Sequence, residues 1–330
     1  MQASTIAYTK APRNNMVQVF RAFAIIAVVM IHTSSQGYAQ VFIRPFINFA
    51  VATFLFLSGY LTKIENENRS LFYIKRIVRV AIPYVIWTIL YTFASRQPEK
   101  LLTNLFAAKA VVPLYFIFVY IQFVLLTPLL GKLAKSRYRF LGWLIAPVSV
   151  ICFKYYWLLT GQELNHYARI IWTDCCLGWF IFYYLGLILG NHIIEKHYSF
   201  KILISFYLVS IVLQMAEGYG WLMLGETNCG TQVKLSSYLT STLFLLIIYT
   251  IMQQKHYDIK NRFLLMLGDY SFGIYLCHIM VMKILDAHMP LYHFVPYPIT
   301  SVCVLLMSLL FCFVGEKACG EKISGWLGLR

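Results

Sequence analysis

Two residues in the first apolar stretch, FRAFAIIAVVMIHTSSQ from Phe20 to Gln36, are of types that do chemistry: Arg21 and His32. At 3.6 residues per turn their spacing is about three turns. Both therefore fall on one face of a helix, roughly 16 Å apart along its axis. An imidazole with an ordinary pKa near 6.5 takes a proton at physiological pH and can act as a general base. Attack of a hydroxyl on a thioester needs such a base, and it needs the developing oxyanion stabilised. Each residue alone also has a plain structural reading. Arg21 suits a snorkelling anchor, and His32 suits a histidine bonded to a neighbouring carbonyl. A charge in mid-membrane costs on the order of 2.5–3.5 kcal/mol by insertion scales. Two such groups on one face point to the interior of a bundle.

A second group lies in SLFYIKRIVRVAIPYVIW, Ser70 to Trp87. Lys75, Arg76 and Arg79 mark the start of a span, and Arg76 and Arg79 are i, i+3 neighbours on nearly one face. They read either as a positive-inside anchor or as a phosphate clamp, since guanidinium forks bind phosphate in bidentate fashion. Coenzyme A, cytoplasmic and rich in phosphate, would suit the clamp. A third group is Tyr275 and His278, again i, i+3 on one face. They are placed to line the same cavity as His32 or to be hydrogen-bonded structure. Asp269 reads as a cap of the helix that begins near Ser271.

Asp174 lies beside Trp172 and Trp179. That set suits sugar binding, or a membrane interface where Trp gathers without catalytic reason. Glu163, His166, Glu217 and Glu226 read as loop residues. His288 and His293 have loose metal-like spacing but no third ligand, so no metal is expected. The eight Cys lie mostly inside apolar runs and read as buried small hydrophobes.

The elements that must position these groups follow from composition. Of 330 residues, 60% are hydrophobic, 17% aromatic and 12% charged. A soluble domain carries about 25% charged residues, so the polar coat is missing and the chain reads as an all-α polytopic membrane bundle. The net charge of +15 does not point to nucleic acid, because Lys and Arg sit in short clusters between apolar runs. Ten spans are expected, at about 17–36, 41–62, 80–95, 111–131, 140–159, 172–190, 202–222, 237–253, 264–284 and 297–315. With the N-terminus inside, nineteen Lys and Arg fall on cytoplasmic segments and eight on outer ones. The bias places both termini in the cytoplasm. The first span lacks a clear cleavage site. No repeat or linker divides the chain, so 1–330 is read as a single membrane-embedded domain.

The ordered motifs resemble the membrane acyltransferase-3 family of bacterial cell-surface glycan O-acyltransferases. The compact members that O-acetylate enterobacterial common antigen are the most similar in layout. Arg21 and His32 match the family's first-span pair. FLFLSGY, which contains Ser58, resembles its Ser-Gly-Tyr/Phe segment. Arg76-Ile77-Val78-Arg79, with Pro83 and Tyr84 after it, resembles its R-x-x-R stretch. PLYFIFVYIQFVLLTPLL is similar to its aromatic fourth span, with Tyr115 and Phe116 where Trp is common. LGDYSFGIYLCH resembles its S-x-x-I-Y-L-x-H signature, with Tyr275 and His278.

The resemblance implies a multi-pass protein of the bacterial inner membrane. Acetyl-CoA would be the cytoplasmic donor, and a glycan or lipid-linked saccharide the outer acceptor. His32 would be the base or a transient acyl carrier. Arg21, Arg76, Arg79 and Lys75 would hold the donor's charged groups or support the site. The fused periplasmic esterase-like domain of some larger members is not expected here. The pantetheine arm is about as long as the Arg21–His32 offset, so His32 is expected to line a hollow reached from the inner basic mouth and from outside. The competing reading is a carrier or flippase for a lipid-linked saccharide. Interior charges fit that as well, while the lack of a repeat counts against it.

Overall fold

The computed structural model describes residues 14–35, 37–64, 69–165, 168, 171–172, 175–195, 198–254, 259–289, 292 and 294–330, apart from the side chains of 69–71. Among these residues there are helices and turns and no strand. In hydrocarbon every backbone polar group must be satisfied within the segment, and helices do this for single spans.

The helices are α1 (Asn15–Thr33), α2 (Tyr38–Ile43), α3 (Phe49–Tyr60), α4 (Arg69–Ala94), α5 (Leu101–Ala107), α6 (Tyr115–Lys135), α7 (Leu141–Val150), α8 (Tyr156–Thr160), α9 (Phe180–Gly190), α10 (Phe200–Met223), α11 (Leu235–Gln253), α12 (Arg262–Asp269), α13 (Ser271–His288) and α14 (Ile299–Leu327). Each of the ten expected stretches contains a helix among its described residues. Among the described residues, eight are long and apolar enough to cross a membrane, and the bent pair α12–α13 brings the number to nine. The chain is a multi-pass membrane protein. α1 is central, with 61% of its apolar window buried, whereas α10 is peripheral with 22%. The exposed face of α10 carries Ile202, Phe206, Val209 and Val212 toward lipid.

Three boundaries differ from the sequence reading. The third span begins at Arg69, so the basic run lies within α4 rather than ahead of it. Hydropathy drops at Lys75, Arg76 and Arg79, but Lys and Arg favour helix and their long stems keep the charge near water. The sixth stretch shortens to α9 after the tight turn Cys176–Trp179. Every residue of α9 is buried, so it is enclosed by other helices. The ninth stretch is broken at Tyr270, where α12 and α13 meet at 75°. There the Tyr270 hydroxyl donates to Glu316, and the Arg330 guanidinium donates to the same carboxylate at 2.9 Å. The C-terminal turn is thus pinned at the break, and Trp87 Nε1 donates to Leu327 O at 2.9 Å beside it.

α3 and α9 pack backbone to backbone. A Cβ on Gly59 would lie 2.2 Å from the Tyr183 carbonyl oxygen, and one on Gly186 2.1 Å from that of Phe56. Only glycine permits this approach, the small-residue contact used where lipid gives helices no hydrophobic reason to associate. It fixes the Ser58-Gly59-Tyr60 turn.

Candidate functional site

α1 runs unbroken from a basic end of the bundle, near Arg21, to a loop end, near His32. At the loop end His32 lines a cavity of about 710 Å³. Its ring makes no hydrogen bond among the described residues and faces this cavity rather than lipid. Residues from six other segments complete the wall, including Gln40 and Arg44, Val51, Tyr115 and Phe116, Trp179, Asn228 and Gln232, and Tyr275. Tyr115 stacks on Trp179, with ring centroids 6.0 Å apart at 30°. An aromatic shelf beside amide and hydroxyl groups has the chemistry that holds a sugar ring.

His278 stands behind His32, with ring centroids 5.2 Å apart. It is fully buried. Its Nδ1 contacts Tyr275 O at 2.8 Å and Ile274 O at 3.1 Å. A carbonyl only accepts, so Nδ1 carries the hydrogen and Nε2 keeps its lone pair. That Nε2 is buried without a partner. Tyr275 donates its hydroxyl to Pro113 O and meets Phe116 edge to face at 5.7 Å.

The basic end is built differently. Arg76 donates to Thr62 Oγ1, to Ser58 O at 3.2 Å and to Ser58 Oγ at 3.3 Å. It also lies over the Phe72 ring at 5.2 Å. Ser58 is therefore the acceptor that seats Arg76. Lys75 and Arg79 are exposed and, with Pro83 of the same helix, line a groove of about 390 Å³ whose other wall is Gly325 and Trp326. Arg21 lies in electrostatic reach of Arg79, Arg76, Asp269 and Tyr120. The three arginines thus converge.

The cavity at the loop end and the groove at the basic end share no lining residue. On α3, Val51 lines the cavity and Ser58 belongs to the basic end, with Phe54 between them. On α6, Tyr115 and Phe116 line the cavity and Tyr120 reaches Arg21. The Phe54 and Phe116 rings meet at 6.2 Å, and Phe116 lines the cavity. The hollow expected around His32 is present, and Arg21, Ser58, Arg76 and Arg79 are not among the residues that line it.

The remaining candidates separate from the site. Asp269 sits 4.0 Å from Arg330, and the residue preceding α13 is Tyr270, not Asp269. Glu217 is within α10 rather than a loop, and accepts from Ser236 N at 2.9 Å. Glu226 pairs with Lys154. Asp174, His166 and His293 lie outside the described residues. Four of the cysteines are buried, Cys229 among them although it lies in a loop.

Sequence reasoning missed Arg44, Gln40, Asn228 and Gln232. Arg44 was counted only as an outer charge. The signal was the pair Arg44 and Asn48, polar residues spaced one turn apart in an otherwise apolar run. Asn48 Nδ2 donates to Gly230 O at 3.1 Å and Thr231 O at 3.3 Å, which binds the 226–234 loop over this wall. Lys234, just before α11, is buried and donates to Cys229 O at 2.8 Å. Burial holds its ammonium down at about 8.

Comparison with known proteins agrees with this layout. Two curated relatives, from Staphylococcus epidermidis and from its strain RP62A, are each described as a probable poly-beta-1,6-N-acetyl-D-glucosamine export protein. Each is 22% identical over 308 residues, covering 84% of this chain and 83% of the relative. No solved structure matches the chain. The acyltransferase domain profile of the acyltransferase-3 family matches residues 14–317, which takes in α1 with Arg21 and His32, the basic run of α4 and the α13 histidine; the chain belongs to the acyltransferase-3 family.

Proposed function

We propose that this protein is a transmembrane O-acetyltransferase of the bacterial inner membrane, with the basic end in the cytoplasm. The observation that carries the reading is His32, facing a polar and aromatic cavity at the end of the bundle away from the arginine cluster. Acetyl-CoA sets its phosphates against Lys75, Arg79 and Arg21, while Arg76 holds the α3 turn through Ser58. The pantetheine arm passes the Phe54–Phe116 pair when those rings part. The acceptor, a glycan or lipid-linked saccharide, enters the cavity from the other side, and one of its hydroxyls meets the thioester beside His32.

The steps balance as follows. His32 takes the hydroxyl proton as the oxygen attacks the thioester carbon. The tetrahedral intermediate collapses with cleavage of the C–S bond. The departing thiolate receives the proton, and the ester leaves with the saccharide. His278 serves as a positioning residue, since its fixed Nδ1–H leaves an acceptor nitrogen behind the His32 ring. General-base catalysis contributes about 10²–10⁴-fold, which sets the scale of what His32 supplies.

The test is a transfer assay with purified protein and acetyl-CoA, together with mass spectrometry of the surface glycan with and without the protein. Acetyl transfer lost in His32→Ala, with coenzyme A binding retained, supports the reading. The second reading is export of a saccharide without acyl transfer. It is favoured by the description of the Staphylococcus epidermidis relatives. If wild type and His32→Ala turn over acetyl-CoA alike while glycan export depends on the protein, the carrier reading stands instead.

A further inference from the structure

The cavity wall holds a cation that no carboxylate among the described residues balances. Arg44 is 8% exposed. Its Nε is buried without a hydrogen-bond partner. Among the described residues no carboxylate pairs with its guanidinium. The two carboxylates of the neighbouring segments are engaged elsewhere, Glu226 with Lys154 and Glu217 with Ser236. The side chain is also held in place. A Cβ on Gly230 would lie 2.5 Å from Arg44 Cγ, so the 226–234 loop is laid over the arginine stem. That loop is in turn held by Asn48 and by Lys234, through Gly230 O and Cys229 O. A guanidinium buried without a counter-charge is costly, and a ligand that brings an anionic oxygen group removes the cost.

We propose that the cavity is built for an anionic saccharide. The Arg44 guanidinium receives its carboxylate or phosphate, Gln40, Asn228 and Gln232 meet its neutral hydroxyls, and Tyr115 and Trp179 carry the ring. The inference rests on the acceptor reading of this cavity and adds the charge of the acceptor to it. Two sources supply such a group: a uronic acid within the glycan, or the phosphate that joins a saccharide to its lipid. Both offer a planar or trigonal set of oxygens that a guanidinium fork binds in bidentate fashion. A purely neutral acceptor would leave Arg44 as it stands now.

The experiment is calorimetry on the full chain in detergent with three probes: methyl β-D-glucuronide, glucose 1-phosphate and the neutral methyl β-D-glucoside. At least one charged probe is expected to bind about tenfold tighter than the glucoside, the scale of a charge-assisted bidentate pair. Preference for the glucuronide assigns the site to a uronic acid, and preference for glucose 1-phosphate assigns it to a lipid-linking phosphate. Arg44→Gln is expected to bring the charged probe down to the glucoside level while leaving the glucoside unchanged. Arg44→Lys, which keeps the charge but loses the fork, is expected to retain part of the preference and serves where the Gln variant does not fold. Equal binding of charged and neutral probes by wild type overturns the proposal, as does no binding of any. So does an Arg44→Gln variant that loses both kinds of probe equally, which would make Arg44 a general sugar or oxyanion donor. Binding is read rather than turnover. A protein that holds the charged probe through Arg44 yet never transfers acetyl refutes the enzymatic reading and leaves this one standing.

Discussion

Arginines stand at both ends of the bundle, and the chain holds them in opposite ways. At the basic end Arg76 is seated by Ser58 and Thr62, Arg79 is exposed, and Asp269 lies within reach of Arg21. Water and the membrane interface share the burden of that charge, so several cations can gather without any one being stranded. At the loop end the Arg44 guanidinium is buried under the 226–234 loop, its Nε without a hydrogen-bond partner among the described residues. The contrast separates two kinds of recognition. Many exposed cations attract any polyanion and are weakened by salt. One desolvated cation selects a ligand by the position of its charge and is screened much less.

The contrast can be broken at five places, in descending order of effect. His32→Ala removes the proposed base at the loop end and is expected to lower kcat about 10³-fold, with coenzyme A affinity unchanged by calorimetry. Gly186→Leu forces a side chain into the Phe56 backbone. It is expected to cost about 3 kcal/mol of stability, the upper range for overpacking, and to raise the donor KM because the α3 turn carrying Ser58 shifts. Thermal unfolding in detergent and a donor titration check both parts.

Arg79→Ala, at an exposed cation, is expected to weaken acetyl-CoA binding about tenfold, with the loss erased at high salt and stability unchanged. Arg76→Ala, whose side chain holds three hydrogen bonds to α3, is expected to weaken donor binding and also to lower the melting temperature. Unchanged donor affinity in both variants would refute the phosphate clamp. The smallest effect is one of slope. Lys234 has its ammonium held at about 8, against an ordinary 10.5. Between those values the unfolded chain binds the extra proton, so this group makes stability rise as pH climbs from 8 to 10.5. Lys234→Met is expected to flatten that rise, measured as melting temperature against pH.

The spans were legible because the membrane sets both their length and their apolar content. Arg21 and His32 were legible for the same reason, being the polar exceptions in an apolar run. Arg44 was not, because a charge at the edge of a span looks the same in sequence whether it meets water or is covered. What covers it is a loop from the far half of the chain, brought over by Asn48 and Gly230. The break at Tyr270 was hidden too. It depends on Glu316 and Arg330, which lie in the last helix and at the C-terminus. The shortness of α9 follows from its being enclosed, which hydropathy alone does not distinguish from lipid contact.

The Phe54–Phe116 pair carries a consequence for the cell that houses the protein. A hole open at both faces of an energy-coupling membrane lets protons run down their gradient, and a histidine partway along it would help them. Two phenyl rings offer nothing for a chain of water molecules to bond to. The proposed enzyme, working on both faces, needs such a seal between turnovers, and replacing both rings by alanine is expected to show itself as a proton leak in sealed vesicles.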